Sequence, residues 1–392
     1  MPRYGIKKEI SFVLRPTFRI FVTDIIIGKM KYSLIIPVFN RPDEVDELLE
    51  SLTRQTLGRQ QFEVVIVEDG SEVRCEDVVG RYSDRLDVRY FEKPNSGPGQ
   101  SRNYGAERSR GEYLIVLDSD VVLPEGYLAA VDKELTDRPC EAFGGPDRAH
   151  ESFTPVQKAI NYSMTSFFTT GGIRGGKKKL DKFYPRSFNM GIRSDLYRQL
   201  GGFSNMRFGE DIDFSIRIFK SGARCRLFPE AWVWHKRRTD FRKFFRQVHN
   251  SGIARINLYK KYPDSLKLVH LLPAFFTVGV VLLALLFFVG LVLAVLGLVA
   301  GRSAQGCNMG MVVVFAGLIL MAFALAPLLL YSLIILIDSS VQNRSLRVGL
   351  LSVPASFIQL VGYGTGFLRA WWLRCICGRN EELQAFRKTF YK

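Results

Sequence analysis

The chain has 392 residues, 54 Lys/Arg against 38 Asp/Glu, a net charge of +16, and nearly half of its residues are hydrophobic. That length holds a domain of ordinary size and something more, and the charge calls for an acidic partner: nucleic acid, anionic lipid headgroups or a phosphorylated substrate. Long uncharged apolar runs favour the membrane over nucleic acid, and no finger, helix-turn-helix or aromatic-basic RNA-binding pattern is present.

Residues 1–31 are basic and partly apolar. The run 18–27 is interrupted by Arg19 and Asp24 and is too short to span a bilayer. With Met30 directly before the first convincing strand, this segment reads as a start-site artefact rather than as an interfacial helix. Residues 32–38 then form a buried strand, followed by Phe39-Asn-Arg-Pro42. Pro42 suits a first helical turn, Asp43 and Glu44 suit its positive end, and Val45, Leu48, Leu49 and Leu52 supply one apolar face. A second strand, 62–67, ends in Glu68-Asp-Gly-Ser71. A third, 88–91, leads into Asn95-Ser-Gly-Pro-Gly-Gln-Ser-Arg-Asn103, a tight turn feeding a helix N-terminus suited to phosphate.

The fourth strand, Leu114-Ile-Val-Leu117, carries Asp118 and Asp120 at its carboxyl end. In extended chain two residues that are two apart project to one side, so this pair offers hard oxygens to Mg²⁺ or Mn²⁺. Strands alternating with helices predict a mostly parallel sheet covered on both faces, with ligands outside the strands' carboxyl ends. Downstream, residues 151–172 read as a helix with interleaved polar and aromatic residues. Gly171-Gly-Ile-Arg-Gly-Gly-Lys-Lys-Lys179 reads as a solvated mobile loop, with a lid over phosphates as the alternative.

Pro37-Val-Phe-Asn40, Glu68-Asp-Gly-Ser71, the 97–103 turn and Asp118-Ser-Asp120, in this order and spacing, resemble glycosyltransferase family 2, with its GT-A fold, over roughly residues 32–240. The resemblance implies a nucleotide-sugar donor and inversion at the anomeric carbon. Pro37, Asn40, Asn103 and Asp118 fall in the donor-binding motifs, Asp69 would contact the base, and Arg102 would lie near the donor. Asp120, with Asp118, would hold the metal. One departure is Glu68-Asp69 where the family usually has two aspartates. Ser187-Phe-Asn189 matches the family strand near the donor sugar, making Asn189 a sugar contact. Phe208-Gly-Glu-Asp211 matches the family's acidic pair, with Asp211 as catalytic base and Glu210 an acceptor contact. His235 matches a position that completes the metal shell.

Residues 239–265 form an amphipathic basic segment, with Phe241, Phe244, Phe245 and Val248 at helical spacing; this suits the membrane interface. Residues 271–300 and 311–337 lack charge and exceed the ~20 residues needed to cross. Lys and Arg are dense before residue 270 and after 343, which predicts a cytoplasmic catalytic domain spanning 32–238. The six cysteines, without CxxC or metal-ligand spacing, fit that reducing side. A third run, 348–368, opens the C-terminal segment 348–392. Crossing there would place Arg369, Arg374 and Arg379 outside, so it reads as re-entrant or interfacial.

The expected protein is a metal-dependent enzyme transferring single sugars to a hydroxyl on a lipid-linked or membrane glycan. A polyprenyl phosphate acceptor would need no base, and processive synthases carry a Gln-x-x-Arg-Trp motif that this chain lacks. A membrane-anchored nucleotide-sugar-binding protein without turnover is the alternative of a different class.

Overall fold

The computed structural model of the chain describes residues 30–148, 153–171, 184–236, 239–301 and 307–383. Residues 1–29, most of the glycine-lysine run after Gly171, Arg237, Arg238, Arg302 and the tail from 384 lie outside the described residues.

The elements run β1 (Tyr32–Val38), α1 (Pro42–Thr53), β2 (Phe62–Asp69), α2 (Glu76–Gly80), β3 (Val88–Lys93), α3 (Pro98–Glu107), β4 (Tyr113–Leu117), β5 (Val121–Val122), α4 (Tyr127–Asp137), β6 (Ala142–Gly144) and β7 (Asp147–Arg148). They continue with α5 (Pro155–Thr165), α6 (Phe167–Thr170), β8 (Asn189–Arg193), α7 (Ser194–Gln199), α8 (Glu210–Lys220), β9 (Cys225–Leu227) and β10 (Val233–His235). Four long helices follow: α9 (Phe241–Lys261), α10 (Leu272–Ala300), α11 (Cys307–Asn343) and α12 (Leu346–Trp371). The helix expected over 151–172 divides at Ser166, whose hydroxyl caps α6 by accepting from Phe168 N.

The main sheet has the order β3-β2-β1-β4-β8-β6-β9. β1 to β4 are parallel neighbours, whereas β8 runs antiparallel to both β4 and β6. Strands covered on both faces need unbroken apolar runs. Accordingly Leu34 and Ile36 point into a core with Leu48, Leu52 and Val79, while Ile35 joins Leu114, Val116, Phe203 and Phe214 on the other face.

A small second sheet, β5-β10-β7, closes over the carboxyl ends. It forms because Gly145 lets the β6–β7 link lie against the chain before β10: a Cβ there would sit 1.7 Å from the Ala231 carbonyl oxygen and 2.4 Å from Asn189 Nδ2. Backbone cannot yield cheaply, so Gly145→Ala is expected to cost about 3 kcal/mol. Thermal unfolding in detergent checks this; an unchanged midpoint would refute the close approach.

Helices α10 and α11, of 29 and 37 residues, pack as an antiparallel hairpin, Gly290 against Gly317 and Gly297 against Gly310. Both are long and apolar enough to cross a membrane, and so by length and composition is α12. α12 is one unbroken helix of 26 residues, with Pro354 inside it. It meets the hairpin at that hairpin's base, where Ser352 pairs with Ser339 and Thr277 reaches the Leu360 carbonyl. Its first half also packs on Ala159 of α5. Along its second half it lies against α9, with Gly366 tight on the His249 carbonyl and Arg374, just past its end, donating to Asn257 at 2.7 Å.

Candidate active site

The carboxyl ends of β1, β2, β3 and β4 carry the site. Past β4 the chain does not continue extended: Asp118, Ser119 and Asp120 form a turn before β5. The two carboxylates therefore converge through a turn rather than through strand alternation, a correction to the sequence reading. The small sheet adds a third group, because antiparallel pairing sets His235 opposite Val121, the neighbour of Asp120. Asp118, Asp120 and His235 then offer ligand atoms all within 4.8 Å of one another. His235 Nε2 is 3.2 Å from Asp120, and its buried Nδ1 makes no hydrogen bond among the described residues, lying 3.9 Å from Asp147. Phe188 stacks on the ring. Two carboxylates and an imidazole suit Mn²⁺ or Mg²⁺, so the residues fit such an ion.

A row of arginines alternates with these acids. Arg41 donates to Asp120 at 2.9 Å. Arg102, only 3% exposed, donates to Asp118 at 2.7 Å and to Glu210 at 3.1 Å while lying over the Phe203 ring. Arg186 donates to Asp211 at 2.6 Å. The metal-type cluster and the acidic pair are thereby joined through one buried guanidinium.

Glu210 and Asp211 open α8 behind Gly209, whose φ of 86° is a left-handed value that glycine adopts without strain. A Cβ on Gly209 would touch Ala254 and Leu258, so the acidic turn sits directly on α9. The two carboxyls differ. Burial, and then the neighbouring Asp211, push Glu210 up to about 7 against the pull of Arg102. Burial also pushes Asp211 upward, but Arg186 outweighs it and holds that carboxyl below its usual range.

Asp69 is buried, and its carboxylate accepts from Lys93 at 2.6 Å and from the Ser96 and Gly97 amides. It thus fixes the β3–α3 turn that carries Arg102. Glu68 accepts from Cys75 and Tyr90 and from the Ser71 hydroxyl, pinning the loop after β2. These residues border an open cleft of about 350 Å³ lined by Glu68, Gly70, Ser71, Arg74, Glu92, Lys93 and Pro94.

Other sequence-predicted residues have side chains engaged by the fold. Asn40 Oδ1 accepts from the Glu72 and Val73 amides. Asn103 clamps Phe203 through both its N–H and its carbonyl. Asn189, fully buried, accepts from Tyr127 and donates to the Ala231 carbonyl, and Pro37 lies within β1. Arg41, Arg186 and Lys93 escaped sequence reasoning. Lone arginines and lysines in a chain of +16 carry no pattern, and only the topology brings them to the acids.

Residues 33–201 match the family model for glycosyl transferase family 2. The chain is 26% identical over 226 residues to the probable glycosyltransferase YdaM of Bacillus subtilis, covering 55% of this chain and 53% of that protein. It is 28% identical over 246 residues to the pre-mycofactocin glycosyltransferase of Mycobacterium tuberculosis, covering 59% and 48%. The chain spans about half the length of these curated relatives. Among solved structures, the mannosyltransferase PcManGT from Pyrobaculum calidifontis, in complex with GDP-Man and Mn²⁺, superposes with a TM-score of 0.51 at 15% identity over 88% of each chain. Residues 33–201 thus match glycosyltransferase family 2, and the α/β domain that contains them has the GT-A fold.

Proposed function

We propose that this chain is an inverting glycosyltransferase that moves one sugar from a nucleotide-diphosphate-sugar to a hydroxyl of a membrane-associated acceptor at the cytoplasmic membrane face. The observation that carries the proposal is the Asp118–Asp120–His235 cluster joined through buried Arg102 to Glu210 and Asp211. Asp118, Asp120 and His235 would hold Mn²⁺ or Mg²⁺, which when bound supplies Lewis-acid neutralisation of a departing diphosphate. Asp211, ionised at neutral pH, is the base that takes the acceptor hydroxyl's proton, and Glu210 contacts the acceptor. The cleft beside Glu68 and Lys93 has a size suited to a nucleoside.

The acidic turn rests on α9 and α9 rests on α12, which supports an acceptor presented at the membrane surface. The pattern of contacts along α12 supports an interfacial helix. It touches the catalytic domain's α5 near one end and α9 near the other, and among the described residues its contacts with α10 and α11 lie at the base of their hairpin. A helix crossing the bilayer would part from the domain along its length. The hairpin then provides two spans, with the basic flanks on the cytoplasmic side.

The test is a panel of UDP-, GDP- and dTDP-sugars given to detergent-solubilised protein with a membrane lipid extract, read by mass spectrometry. One sugar added to a lipid-soluble product is the expected result. A ladder of lengths would replace the single-transfer reading with a processive one. Donor binding without turnover under every acceptor would leave a binding protein.

A further inference from the structure

Each carboxylate of the cation-type cluster is held by a different arginine, and the two arginines differ in their freedom. Arg102 is 3% exposed and anchored three ways, to Asp118, to Glu210 and against the Phe203 ring. Withdrawing it would leave two acids facing one another in a buried site, so it stays. Arg41 lies in the loop between β1 and α1, with its side chain 32% exposed. Its partners are Asp120 at 2.9 Å and Glu44 at 3.4 Å, the second a partly exposed pair three residues along the chain, which holds weakly.

Both carboxylate oxygens of Asp120 are engaged in this arrangement. Oδ2 accepts from Arg41 and Oδ1 faces His235 Nε2 at 3.2 Å. A guanidinium 2.9 Å from a carboxylate oxygen competes for its charge with any cation that Asp120 and His235 hold together, and the two like charges repel at contact distance. Of the two arginines beside the cluster, partly exposed Arg41 is the one that can yield to such a cation by moving into solvent.

We infer that Arg41 is the resident counter-ion of Asp120, displaced by the divalent cation and then free to pair with the donor's phosphates. This deepens the proposed function and rests on the reading that Asp120 holds the cation. The planar fork of arginine suits such a transfer: it pairs bidentately with carboxylate and with phosphate alike. A lysine would carry the charge but not the fork. By this device the cluster is neutralised before the donor arrives, and the same positive charge serves the diphosphate afterwards.

The test needs no turnover. Free Mn²⁺ is titrated by electron paramagnetic resonance against wild-type protein, Arg41→Gln, Arg41→Lys and Asp120→Asn, first alone and then with UDP or GDP. Arg41→Gln is expected to bind Mn²⁺ alone about tenfold more tightly, because Asp120 is released, and to bind nucleoside diphosphate with Mn²⁺ about tenfold more weakly. Arg41→Lys is expected to keep Mn²⁺ affinity near wild type while losing part of the nucleotide affinity. Unchanged or weaker Mn²⁺ binding by Arg41→Gln overturns the counter-ion role, and tighter Mn²⁺ with unchanged nucleotide binding overturns the transfer to phosphate. If Asp120→Asn binds Mn²⁺ as wild type does, the cation reading itself fails, separately from Arg41.

Discussion

Asp211→Asn is expected to lower kcat about 10²–10⁴-fold while leaving donor binding within about twofold of wild type. Asparagine keeps the shape of the side chain and can still accept from the Ile212 amide, which reaches Asp211 Oδ1 at 2.8 Å. It cannot take a proton. Arg186 holds Asp211 below the usual carboxylate range, whereas burial and the neighbouring Asp211 raise Glu210. A base must be charged before it acts, and Asp211 meets that condition. Rates for the two amide variants, with donor affinity measured in parallel, check the assignment; a loss confined to Glu210→Gln would transfer the role to Glu210.

Glu210 also carries a stability signature with a defined sign. An ordinary glutamate titrates at 4.5, but in the fold Glu210 holds its proton to about 7. Between those values the folded chain binds more protons than the unfolded one, so the contribution of this group is full below 4.5 and falls as pH rises through 7. Glu210→Gln should flatten that part of the profile in thermal melts.

Much of the scaffold was legible because both-face burial leaves a plain mark. Ile35, Ile36, Val64 to Val67 and Leu114 to Leu117 are continuous apolar runs, each followed by polar residues where the strand ends. The acids of the site lie at those ends, and their order and spacing carry the resemblance to the family. The reading ran out where long-range pairing decides position. Nothing local to Val233-Trp-His235 says that it pairs antiparallel with Val121-Val122, and that pairing alone brings the imidazole to Asp120. The same limit applies to Asn103 and Asn189. A motif identifies them as important without saying whether a side chain faces a ligand or, as here, spends its hydrogen bonds on Phe203, Tyr127 and Ala231. α12 was ambiguous by composition, and its contacts with α5 and α9 carry information that hydropathy does not contain.

Asp120→Asn is the change expected to act most on donor chemistry, lowering kcat/KM about 10²–10³-fold. The cluster has three members, and they are not equivalent. Asp118 is committed to buried Arg102, which also holds Glu210, so its charge is already neutralised from within the protein. A ligating His235 would be neutral, and its Nδ1 lies 3.9 Å from Asp147. Asp120 differs in its arginine, the partly exposed Arg41, which is more readily released than buried Arg102. Removing that charge should weaken divalent-ion binding more than His235→Ala does, for which about 10–100-fold is expected. Activity measured against Mn²⁺ concentration separates the two effects. If His235→Ala only raises the concentration required, saturating Mn²⁺ restores its rate, whereas Asp120→Asn stays slow at any concentration because the charge facing the diphosphate site has changed. Equal rates for Asp120→Asn and wild type across that titration would mean that the acids of this rim serve the fold and not the reaction.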